Sequence, residues 1–190
     1  MNFASRFQQS SVLSGSILLS HPLLRDPNFC KSIVFLSNHS DEDGTLGVIL
    51  NRPLGKQLYQ LDDQFKNFAL GKAQVYEGGP VEKEKLIIAA WDWGDSPESF
   101  RLHFGIDITK AESLQAEKKE IHVACFLGHS GWSPGQLENE LQVDSWVLSS
   151  LNHNIFEKID AEADCWRSAI SGVSDEMRLL ANSPEKPWLN

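Results

Sequence analysis

The 190-residue chain is 41% hydrophobic and 23% charged, the balance of a globular protein long enough to bury a core. Its 17 Lys and Arg against 26 Asp and Glu leave a net charge of −9 with His neutral, which repels phosphate backbones and disfavours direct nucleic-acid binding. No apolar run approaches the ~18 residues of a membrane helix, and no h-region with a small-residue cleavage site opens the chain, so a cytoplasmic protein with no membrane contact is expected.

In chain order, residues 1–12 are polar and are expected to be loose. Ser16 to Ser20 reads as a short apolar strand, and His21 to Lys31 as a loop with two prolines. Ile33 to Leu36 and Leu46 to Leu50 are strand-like runs flanking Asp41-Glu42-Asp43-Gly44, whose Asp-Gly step signals a hairpin turn. Leu58, Leu61, Phe65 and Phe68 recur at helical spacing. Gln74 to Tyr76 and Leu86 to Trp91 read as strands around a glycine turn.

From Phe100 to Ile108, apolar and polar residues alternate with period two, which predicts a strand with one apolar face. Thr109 and Glu112 form a T-x-x-E capping box that predicts a helix start, and Ile121 to Leu127 returns as a strand. A last helix is expected from about Asp160 to Gly172, with Asp160 as its cap. Residues 181–190, with Pro184 and Pro187, read as an extended tail. The pattern predicts an α+β fold with a mixed sheet, flanking helices and one compact domain over residues 13–180.

Standard cofactor signatures are absent. The sequence contains no G-x-x-x-x-G-K-[ST] and no G-x-G-x-x-G after a strand, so neither common phosphate cradle is present, and no cofactor is expected. The acidic loop fails as an EF-hand, because His39 and Leu50 would fall on positions that need carboxylates. The six histidines are scattered with no H-E-x-x-H, so no metal site is read directly, although ligands can converge from distant strands. Cys30, Cys125 and Cys165 are odd in number and widely spaced, which excludes a disulfide framework and a zinc ribbon. Cys125 lies in an apolar strand and reads as a core residue.

Gly131-Trp132-Ser133-Pro134-Gly135 spells G-x-S-x-G between a strand and a helix. A nucleophile elbow uses the N–H after the serine in its oxyanion hole, and Pro134 has none. The same letters read better as a helix start, with Ser133 the N-cap and Gln136 closing the box. His129 and Ser130 end the preceding strand, and with Gly131 and Trp132 they form a candidate ligand or partner site. Asn51 and Arg52 add a cation able to grip a carboxylate or phosphate, unless Arg52 forms an internal ion pair. Gly78 and Gly79 form a tight turn, with the alternatives of an anion nest or a backbone position needing positive φ.

Gly15-Ser16-Ile17-Leu18, His21-Pro22-Leu23 and Asp26-Pro27-Asn28-Phe29 resemble the opening of the YqgE/AlgH proteins. Gly47-Val48-Ile49-Leu50-Asn51-Arg52-Pro53, Gly78-Gly79-Pro80-Val81 and Gly131 to Glu138 extend that resemblance across most of the chain. His129 departs from the tyrosine-like aromatic expected there. The resemblance implies a bacterial protein with a mixed, partly closed sheet and an unsettled biochemical function. Some such proteins carry the label of transcriptional regulators. The reading is a binding or regulatory protein, more a non-enzyme than an enzyme, acting through a small anion or a protein partner. The alternatives are a hydrolase using the Gly128–Trp132 turn, and a regulator that binds DNA directly.

Overall fold

The computed structural model describes residues 13–93, 100–117, 120–151, 155, 159 and 164–183. These residues form an α+β fold whose nine strands belong to a mixed sheet that does not close. The strands are β1 (Ser16–Ser20), β2 (Ile33–Ser40), β3 (Gly44–Ile49), β4 (Pro53–Gln57), β5 (Gln74–Glu77), β6 (Val81–Trp93), β7 (Phe100–Ile106), β8 (His122–Trp132) and β9 (Trp146–Ser150). The helices whose bounds fall among the described residues include α1 (Ile108–Glu117), α2 (Gln136–Gln142), α3 (Cys165–Ser171) and α4 (Asp175–Asn182). Two compact units result: the described residues up to Leu46 with those from Gly131 onward, and residues 47–130.

In the first unit β1 lies between β2 and β9 and runs antiparallel to both. Ile17, Leu18 and Leu19 are buried, as a strand covered on both faces requires. Trp166 and Ile170, on one stripe of α3, are buried, and the Trp166 indole N–H donates to the Ser20 carbonyl at 3.0 Å. That bond satisfies a polar atom that burial would otherwise penalise. The Asp160 cap expected for this helix lies outside the described residues. Asp164 fills the role at α3, accepting from the Arg167 N–H at 3.2 Å.

The second unit is built on β6 and β8. β5 runs parallel to β8, while β6 runs antiparallel to both β7 and β8. β7 and β8 are therefore parallel, with β6 between them, and α1 connects them in sequence. Leu58, Leu70, Val75, Ile88, Ala111 and Cys125 form one buried cluster, and Ala90, Leu114 and Ile121 a second. Cys125 is the core residue its strand position implied, and burial pushes its thiol up to about 12.

Several expectations are corrected. The 58–68 stretch is not one helix; it forms short 3-10 turns at Leu58–Gln60, Asp63–Asn67 and Ala69–Lys72. The intervals Leu58 to Leu61 and Phe65 to Phe68 are three residues, the repeat of a 3-10 turn. The Thr109–Glu112 box is not made. Asp107 accepts from the Lys110 N–H at 2.8 Å, and Glu112 accepts instead from the Leu70 N–H at 3.2 Å. Strands β4 and β9 and helix α4 were not anticipated, and α4 runs into residues expected as an extended tail.

Candidate functional site

The segment expected as a turn, Gly128 to Trp132, is the end of β8. Gly128 takes φ +71°, which breaks the side-chain alternation that signals a strand, yet the ladder continues to a Val81–His129 pair. Between that pair and Leu86–Leu127 the register shifts, with two steps on β8 against five on β6. The extra β6 residues form a bulge that contains Glu82 and Lys85. Bulges of this kind re-aim side chains and are common beside functional sites. Glu82 also has φ +46°, an uncommon backbone conformation for a side chain of that size.

The bulge meets His129. Lys85 Nζ donates to Glu82 Oε2 at 2.8 Å, and that same oxygen stands 3.7 Å from His129 Nδ1. Nδ1 is buried and has no hydrogen-bond partner among the described residues, and the residue is 9% exposed. Burial pushes the imidazole below its ordinary 6.5, assisted by Lys85 and opposed by Glu82. The Lys85 hydrogen bond holds the Glu82 carboxyl below its ordinary 4.5. The arrangement is a neutral imidazole with an unsatisfied nitrogen beside an ion pair open to water.

The other strand ends of this unit converge on the same place. The Gly78 N–H donates to the Leu127 carbonyl at 2.7 Å, and the Gly78 carbonyl accepts from the Ile49 N–H at 2.9 Å. Ser130 Oγ donates to that carbonyl at 3.2 Å and is fully buried. A Cβ on Gly79 would strike the His129 backbone, so close approach requires the missing side chain. Gly78 is thus engaged in the ladder and does not form half of an anion nest. The Glu77 N–H donates to the Arg52 carbonyl at 2.8 Å, and Arg52 Nη1 faces Glu77 Oε2 at 3.7 Å. Arg52 is therefore in the internal ion pair that was its alternative. Asn51 precedes it and is half-buried.

Gly131 and Trp132 belong to the first unit. Trp132 is 4% exposed, so it is not a free aromatic surface. Its indole N–H and that of Trp146 both donate to Glu140 Oε2, at 2.9 and 2.7 Å. Gln136 Nε2 donates to the other oxygen, Oε1, at 2.9 Å. Phe29 stacks on Trp132 at 6.0 Å and meets Trp146 edge-on at 5.3 Å. Every one of these groups is accounted for by packing. The helix start is also shifted: Gly135, at φ +75°, is the N-cap, and Ser133 serves through its backbone, its N–H donating to Gln136 Oε1 at 3.0 Å and its carbonyl accepting from the Gln136 N–H at 2.9 Å.

Glu82 and Lys85 were missed. Nothing in the letters of the Glu82-Lys83-Glu84-Lys85 run announces a bulge.

Comparison with known proteins identifies the fold and the family. No described helix is long and apolar enough to cross a membrane. A UPF0301 protein of Streptomyces avermitilis is 30% identical over 194 residues, covering 98% of this chain and all of that protein. A UPF0301 protein of Mycobacteroides abscessus is 32% identical over 179 residues, covering 90% of this chain and 85% of that protein. The solution structure of the AlgH protein from Pseudomonas aeruginosa matches with a TM-score of 0.62 at 23% identity, covering 91% of this chain and 95% of that one. A crystal structure from Corynebacterium diphtheriae matches at 0.69 and 17% identity, covering 90% and 92%. These likenesses to solved structures concern the fold. The AlgH-like family model matches residues 17–178, and the chain is a member of that family.

Proposed function

We propose that this chain is a cytoplasmic binding protein that takes a small anionic ligand at the β8 strand end of its second unit. The observation that carries the reading is the buried His129 Nδ1, which has no hydrogen-bond partner. Leaving such an atom unpaired costs about 1–3 kcal/mol, a cost a ligand group would remove. Lys85, one of whose ammonium N–H groups bonds Glu82, has further donors to offer an anion, and the Glu82 bulge provides a strained, exposed wall. The regulatory role attached to some similar proteins fits as a consequence of ligand binding.

The non-enzymatic reading is favoured over a hydrolase. Ser130 Oγ is buried and donates to a backbone carbonyl, and Ser133 is followed by Pro134, which supplies no oxyanion-hole N–H. For DNA binding, the net charge of −9 is the opposing observation. We also propose that residues 13–180 unfold as one domain, because both unit boundaries fall inside continuous strands, β3 and β8.

An amide NMR titration with nucleotides, sugar phosphates and short carboxylates tests the site. The expected perturbations lie at residues 78–79, 82–85 and 128–130. Perturbations confined to the other unit, or none with any of these ligands, would refute it.

A further inference from the structure

We infer that the first unit carries a site for a divalent transition-metal ion, built from His39, Asp41 and Glu138. One ligand atom from each lies within 4.8 Å of the others. His39 is the penultimate residue of β2, Asp41 opens the turn to β3, and Glu138 lies in the first turn of α2. Three separate elements therefore deliver one nitrogen and two oxygens to a single point.

The distances suit an ion better than a direct hydrogen bond. His39 Nε2 stands 3.4 Å from Glu138 Oε1 and 3.8 Å from Asp41 Oδ1. A charge-assisted N–H to carboxylate bond closes to ~2.7–2.9 Å. Two ligands on one tetrahedral ion, with bonds of about 2.0–2.1 Å, sit roughly 3.3–3.4 Å apart. The Glu138 spacing matches that edge, and the Asp41 carboxylate is on an exposed turn that can move inward by a few tenths of an ångström.

The second observation is the histidine itself. Its side chain is only 2% exposed, yet its Nε2 is aimed at the two carboxylates. Nδ1 is held by Thr45 Oγ1 at 2.7 Å. A second partner on the far ring nitrogen is the device that fixes the ring and tautomer of a metal-bound histidine. Thr45 is itself buried, so the support is rigid. A mixed imidazole and carboxylate set suits Zn²⁺ and neighbouring first-row ions over Ca²⁺ or Mg²⁺. Three protein ligands leave at least one position for water or an anionic group.

Isothermal titration of the metal-free full chain with Zn²⁺ tests this, with Co²⁺ absorption as a second readout. The expected result is one site per chain, weakened at least tenfold in Glu138→Gln and in Asp41→Asn. Thr45→Val should weaken it by ~10–100-fold, the usual effect of losing a supporting partner. His39→Asn should abolish the site. Should that variant fail to fold, the two isosteric carboxylate variants still decide the matter. Absence of binding to the wild-type chain, or binding unchanged in both carboxylate variants, would overturn the inference.

Discussion

Two residues near the end of β8, three positions apart, are solved in opposite ways. Trp132 is buried with its indole N–H bonded to Glu140, and Phe29 and Trp146 close around it. His129 is buried with Nδ1 unpaired, facing a strained bulge. The sequence puts both in one candidate surface. The structure assigns them to different units and gives only one of them an unmet chemical demand. A satisfied buried polar group is explained by stability alone, whereas an orphaned one calls for another explanation.

Among substitutions, Trp132→Ala should have the largest effect. It removes a packed aromatic and is expected to cost about 3–5 kcal/mol, read as a lower urea midpoint. Glu140→Ala strands two indole donors and should cost about 2–4 kcal/mol by the same measurement. Gly79→Ala forces the His129 backbone to move and should cost about 1–3 kcal/mol, with NMR shifts centred on Gly128 to Ser130. A cost below half a kcal/mol there would show that the close approach is not tight.

Smaller effects sharpen the other side. His129→Phe removes the orphaned nitrogen, which offsets part of the packing cost of a somewhat larger ring, so stability should change by less than about 1.5 kcal/mol. Arg52→Ala should cost less than about 1 kcal/mol, because its ion pair is long and partly exposed. An Arg52→Ala loss as large as that of Trp132→Ala would make Arg52 a structural residue.

The last expected effect is pH dependence. The folded His129 pKa is depressed, so below about 6.5 the unfolded chain binds a proton that the folded chain resists. Stability from this group is full above 6.5 and falls as pH drops from there toward the folded value, at no more than about 1.4 kcal/mol per pH unit. Glu82 adds a loss of the same sign below 4.5. The wild-type minus His129→Phe difference in urea midpoint, followed from pH 7.5 to 5, isolates the histidine. A flat difference would mean that His129 is not desolvated.

The sequence was legible wherever one pattern dominated. β1 was read to its ends because five consecutive residues are apolar or small, and β7 was read from its period of two, ending two residues early where Asp107 caps α1. β4 was illegible, since Pro53, Gly55 and Lys56 are exposed and the strand holds by pairing with β5 through an irregular register. β9 is a five-residue strand made by pairing with β1, which only the fold supplies. Of the residues proposed for the site, Gly78, Gly79, His129 and Ser130 were singled out from their letters, and the fold brings them close together. The bulge that places Glu82 and Lys85 beside them follows from a register shift between distant strands, which no local pattern encodes. The His39 cluster escaped for the same reason: Glu138 lies about 100 residues from its partners.

The most direct test is a thermal-shift panel of nucleotides, sugar phosphates and short carboxylates on the wild-type chain and His129→Phe. A ligand at 100 times its Kd should stabilise the wild type by about 2.7 kcal/mol, and that gain should vanish in the variant. Equal stabilisation of both proteins, or no stabilisation of the wild type by any of these ligands, would contradict the assignment of the β8 strand end as the binding site.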